Sequence, residues 1–232
     1  MSLCTTTVRS LGVIAALALT GCSADGTGSA DPTSSTAARD RREDMTASAS
    51  APLSSAALSK RLLDESDLGA GYSHVPERST AHADVAVVGC PELEKLDDKA
   101  ATGGGLVFPR RAKASFTYVG GTGSEVSEEL CSDTAAKLSE GIGEIFDAMV
   151  SCPSYRLVSG STVIDVDSQR TVTPDLGDEQ WSQLITYSVG GQRSVVRQTA
   201  ILTDNVLVIV SGSPGLVDAN LDRALTKAQI AH

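Results

Sequence analysis

The residues best equipped for chemistry are five cysteines, three histidines and a few pairs of like charges. Thiolates and imidazoles hold zinc when they cluster at short spacings, as in HExxH or CxxC. Neither spacing occurs here. His74 and His82 fall in one stretch that reads as a loop, and His232 is the last residue, so no metal site is expected. No GxSxG, GxxxxGK[ST] or helix-opening GxGxxG appears, which leaves no sign of a nucleophile elbow or of a nucleotide cofactor, and no cofactor is expected. The run Gly120 to Ser124 is rich in glycine, but it leads into Glu125, Glu128 and Glu129. Those carboxylates repel phosphate, so the run reads as a turn. Asp165 and Asp167 share one face of a strand and, with Glu179, are the carboxylates a hydrolase would use. With no other oxygen ligands clustered near them they read as surface residues.

The cysteines carry the strongest signal. Cys22 follows a short leader in which Arg9 is the charged residue and Leu11 to Leu19 is apolar. That stretch is about half of the ~20 residues a membrane-crossing helix needs. With Leu19, Thr20 and Gly21 before it, Cys22 resembles the acylated cysteine of a bacterial lipobox. Residues 1–21 are therefore expected to be a lipoprotein signal peptide, with a lipid (palmitate-type acyl chains) on Cys22. Two acyl chains give stable attachment where one gives only marginal attachment. Cys90, Cys131 and Cys152 then remain in an oxidising compartment, where three single bridges are possible. Cys90 and Cys152 each precede a proline at an element boundary. Cys131 reads as the start of a long helix whose other end is near Cys152, so a bridge between those two would need the chain to double back. The expected bridge is Cys90–Cys152, with Cys131 free and buried.

These groups need elements to position them. Residues 22–53 are mostly Ser, Thr, Ala and Gly with no aromatic residue, and read as a flexible linker. Residues 54–232 then form one domain. Its first helix is capped by Ser54 or Ser55, carries Leu58 and Leu62 on one face, and ends at Gly69 and Gly71. Cys90-Pro91 opens another helix, with proline in its first turn. Ala112 to Val119 reads as a strand. Ser132 to Val150 carries Leu138, Ile142, Ile145, Phe146 and Met149 at helical spacing. Gly141 and Gly143 inside that helix point to close backbone approach. Thr162 to Val172, Trp181 to Val189, Gln192 to Leu202 and Val206 to Ser213 read as strands, and Val217 to Ala231 as a closing helix. The expectation is an α+β fold: one antiparallel sheet of about five to six strands, with helices packed on one face. A two-residue turn at Gly190-Gly191 would pair Val189 with Gln192. Arg193 and Arg197 then project from one side, about 13 Å apart along the strand, as candidate anion-binding residues.

Composition removes some classes of function. The net charge of −10, a pI near 4.7 and 3% aromatic residues argue against a nucleic-acid partner. At 41% hydrophobic, the chain can build a core.

Several landmarks resemble the actinobacterial extracytoplasmic sensor-domain proteins, which include lipoproteins and the extracellular domain of PknH-type mycobacterial serine/threonine kinases. They are Leu62-Leu63 with Asp67 to Tyr72, Cys90 to Leu93, Ala114 to Phe116, Cys152 to Tyr155 and Gly177 to Glu179. The final hairpin and helix complete the set. The resemblance implies an antiparallel sheet backed by helices, with a cleft for an unidentified ligand. The kinase sensor domains carry two disulfides, whereas three thiols here allow one. With no kinase domain and no transmembrane helix, any signal would pass to a separate membrane-protein partner. The leading expectation is a lipid-anchored, non-enzymatic binding or sensor module on the extracytoplasmic face of the cell membrane, taking a small molecule or envelope ligand. The alternatives are an envelope hydrolase using carboxylates and a structural partner-binding lipoprotein.

Overall fold

The chain from residue 111 to residue 212 is dominated by strands joined by short turns. A computed structural model describes residues 51–76, 85–96, 108–120, 124–173 and 175–230. The leader, Cys22, most of the linker, His82 and His232 lie outside the described residues. The strands are β1 (Tyr72–Val75), β2 (Val85–Val88), β3 (Arg111–Tyr118), β4 (Ser124–Ser132), β5 (Ser154–Ser159), β6 (Thr162–Arg170), β7 (Glu179–Val189), β8 (Gln192–Thr203) and β9 (Val206–Gly212). They form one antiparallel sheet in the order β1-β3-β4-β9-β8-β7-β6-β5-β2. The helices are α1 (Ser55–Ser59), α2 (Glu65–Leu68), α3 (Pro91–Glu94), α4 (Ala135–Ser151) and α5 (Pro214–Gln229).

This corrects the expected α+β fold with five to six strands: the described residues hold nine strands, and the structure is mostly β. Four strands were hidden in the sequence for physical reasons. β1 and β2 are each four residues long, too short for period-two alternation to register. β4 is buried continuously from Glu128 to Ser132, so it has little alternation to read. β5 starts directly after Cys152-Pro153, with no turn cluster to mark it.

Helices also cover both faces of the sheet rather than one. Val206, Val208 and Val210 of β9 pack with Val217, Leu221 and Leu225 of α5. The alternate residues Leu207 and Ile209 pack against Leu138, Ile142 and Phe146 of α4. Each such side chain contributes about 1.5–3 kcal/mol by leaving water. Cys131 lies in β4, not at a helix start, and is buried and free. The first expected helix is split in two. Ser54 caps α1, and the Asp64 side chain then accepts from the Ser66 and Asp67 amides and starts α2. Leu62 and Leu63 therefore sit in the link between the two helices.

The Cys90–Cys152 bridge is present, with Cα atoms 5.6 Å apart. It joins the residue before α3 to the residue after α4. Gly141 does lie close to a neighbour, since a Cβ there would come within 2.9 Å of the Phe108 ring. Gly143 faces open space.

Candidate ligand-binding cleft

The link between α1 and α2 runs along the sheet beside β1, β3 and the last turn of α5. A cleft of about 480 Å³ lies between them. Its apolar wall is Leu62, Leu63, Ala114 and Phe116, and its polar groups include Lys60, Glu65 and His74; Lys113 borders it through β3, where strand alternation turns its side chain to the face of its register partner Glu129. Lys227 of α5 closes one side. The volume falls in the ~300–1,000 Å³ range of small-molecule sites, and the mixture of apolar wall and few polar groups is typical of them.

Several of these groups are held by specific contacts. The His74 backbone N–H donates to Glu65 at 2.7 Å, and the His74 ring meets Phe116 edge-on with centroids 5.6 Å apart. Register pairs His74 with Phe116, so the ring contact follows from strand pairing. Lys227 Nζ donates to Asp64 at 2.8 Å and also to Asp67. The Lys227 bond and a second from Ser66 hold the Asp64 carboxyl well below the usual carboxylate range. Partial burial opposes the charge on Lys227, but the two aspartates keep its pKa above the ordinary value.

Behind the apolar wall is Glu128 of β4, which is 1% exposed. It pairs in register with Ala114, and its Oε2 accepts from the Leu63 N–H at 2.6 Å. Oε1 is buried and has no hydrogen-bond partner among the described residues. Burial pushes the Glu128 carboxyl up to about 8, against the pull of the Leu63 amide and Lys227. At neutral pH this carboxyl is mostly protonated.

The residues singled out from sequence fall elsewhere. The Gly190-Gly191 turn pairs Val189 with Gln192 as expected, and Arg193 and Arg197 do share a face of β8. Arg197 is bound to Asp218 at 2.5 Å, and Arg193 is exposed. Neither lines the cleft. Asp165 and Asp167 line a second depression of about 400 Å³ with Ser154 and Arg156, where Ser154 donates to Asp167 at 2.6 Å. Asp167 pairs with Thr186 of β7. Glu179 lies seven residues further along β7, about 23 Å away and on the opposite sheet face by strand alternation. Glu179 instead accepts from Ser139 of α4 at 2.8 Å. The three carboxylates are not gathered into one site. His74 is in β1 rather than a loop.

Sequence reasoning missed the cleft because its residues come from five separate elements. One signal was available: Val126, Glu128 and Leu130 alternate on one face of β4, which places a carboxyl in an apolar row. Among the described residues, no group of His, Cys, Asp and Glu could hold a metal ion. No helix among them is long and apolar enough to cross a membrane.

The chain matches no family model and no curated protein sequence. It is similar in structure to the extracellular domain of PknH from Mycobacterium tuberculosis at 14% identity and a TM-score of 0.58. The match covers 76% of this chain and 97% of that one. The resemblance to PknH-type extracellular domains therefore holds for the fold.

Proposed function

We propose that this protein is a non-enzymatic, lipid-anchored binding module on the extracytoplasmic face of the cell membrane, and that its ligand enters the cleft between α1, α2, β1, β3 and α5. The observation that carries the binding role is the cleft itself, in which an apolar wall meets polar side chains from α2, β1 and α5 in front of the buried Glu128 carboxyl. The extracytoplasmic location draws support from the Cys90–Cys152 bridge, since disulfides persist in oxidising compartments. The likeness to a domain described as extracellular agrees with it. Attachment through Cys22 rests on the lipobox pattern. The dispersed Asp165, Asp167 and Glu179 give no support to carboxylate catalysis.

Two experiments test the parts separately. Labelled palmitate should enter the wild-type protein and not Cys22→Ala, and label in that variant would remove the anchor. A thermal-shift screen with short-chain envelope lipids, glycan fragments and inorganic anions should find a stabilising ligand whose effect Ser59→Trp abolishes. Ser59 is exposed and lines the cleft, so the indole fills the site without disturbing the core. Stabilisation that survives in Ser59→Trp would place binding elsewhere.

A further inference from the structure

We infer that the cleft takes an N-acylated aminoacyl compound, whose N–H and C=O complete the sheet edge at Lys113 and whose apolar acyl chain lies on Leu62, Leu63 and Phe116. This rests on the binding role proposed above and names the class of ligand. Backbone groups of an antiparallel strand point alternately to its two sides. The Ser132 N–H donates to the Arg110 C=O at 3.0 Å, so the even-numbered residues of β3 bond to β4. The odd-numbered residues point the other way, to the side where β1 lies. In that direction the Val119 N–H donates to the Gly71 C=O at 2.8 Å, and Thr117 and Ser115 pair with Ser73 and Val75.

Lys113 is next in this row, but β1 ends at Val75. One step further, the Arg111 N–H is capped by Ser55 Oγ of α1 at 3.1 Å. The outward His74 N–H of β1 is capped as well, by Glu65 of α2. Between β1 and α1 the edge thus has a gap one residue wide, where Lys113 N–H and C=O have no partner among the described residues. Lys113 lines the cleft although its side chain turns to the other sheet face, so what it presents there is its backbone. One N–H and one C=O at residue spacing fill such a gap, and a single aminoacyl residue offers both. An acyl chain on that residue's nitrogen then covers the apolar wall. A lipid without the amide would cover the wall and leave the edge unpaired.

The test uses the full chain and N-octanoyl-alanine methylamide. Its analogue methylated on the alanine nitrogen lacks the N–H for Lys113 C=O, and N-acetyl-alanine methylamide lacks the apolar chain. The parent compound should bind, and each comparison probe should bind at least about tenfold more weakly. Lys113→Pro removes the outward N–H at a position where an edge tolerates proline, and should weaken the parent compound about tenfold. Lys113→Ala should bind like the wild type, and weakening in that variant would assign the contact to the side chain and overturn the proposal. In the free protein the Lys113 amide should exchange its hydrogen at least about tenfold faster than those of Ala112 and Ala114, and the parent compound should slow it. A Lys113 amide already protected without ligand would also overturn the proposal. If the N-methyl analogue binds as tightly as the parent and Ser59→Trp blocks both, the edge assignment fails while the cleft remains a binding site. If the parent compound binds equally well to Ser59→Trp, the cleft is not the site and both readings fall.

Discussion

Replacing Glu128 by glutamine should change how stability depends on pH, and the direction is fixed by its environment. The Glu128 carboxyl titrates near 8 in the folded protein and near the ordinary 4.5 when unfolded. Between those values the folded state holds a proton that the unfolded state has lost. Stability contributed by this group is therefore full below about 4.5 and falls as pH rises towards 8, by about 1.4 kcal/mol per pH unit. The whole span corresponds to about 5 kcal/mol. The groups that face this carboxyl are Leu63 N–H, Lys227 and Asp67, and all remain in the variant. Glutamine keeps an acceptor for the Leu63 amide and carries no ionisable proton. Urea unfolding of both proteins with the disulfide intact, from pH 4.5 to pH 8, should give a difference curve that isolates Glu128. The variant should match the wild type within about 1 kcal/mol at the acid end and exceed it by several kcal/mol at the alkaline end. A pH-independent difference would show that Glu128 is ionised in the folded state and would refute its assignment as a protonated wall group.

Four further outcomes rest on the same structure. Removing the bridge with Cys90→Ala/Cys152→Ala should lower stability by about 4 kcal/mol in urea, as expected for a closed loop of 62 residues; a loss below about 1 kcal/mol would refute that value. Cys131 is buried, and burial beside Glu129 holds its thiol well above the usual range, so iodoacetamide should leave it unmodified until the chain unfolds. Gly143→Ala should stabilise the protein by about 0.5–1 kcal/mol, because open space surrounds that position in α4. Gly141→Ala should gain less, since its methyl group would press on Phe108.

The legible part of the fold was the part governed by local pattern. The α4 and α5 stripes, the Gly190-Gly191 hairpin register and the Cys90–Cys152 pairing follow from periodicity, turn chemistry and element boundaries. What was hidden depends on contacts distant in sequence. Residues of β9 alternate between two helical layers, yet all are apolar, so Val206 to Val210 looks like one undifferentiated run. The split between α1 and α2 depends on the Asp64 side chain outcompeting helix continuation through Leu62 and Leu63. The cleft was illegible for the same reason, because Lys60, His74, Phe116 and Lys227 meet only once the sheet order is known. Arg193 and Arg197 were visible because they share one strand face, but sharing a face does not create an enclosure.

The central claim is that the cleft beside α1, α2 and α5 holds the ligand. Its most direct test is native mass spectrometry of the full chain extracted from its own membrane, with denaturing spectra separating covalent lipid from bound mass. The wild type and Arg193→Ala/Arg197→Ala should carry the same non-covalent mass, and Ser59→Trp should lack it. Retention of that mass by Ser59→Trp, or its loss from the arginine variant alone, would contradict the account.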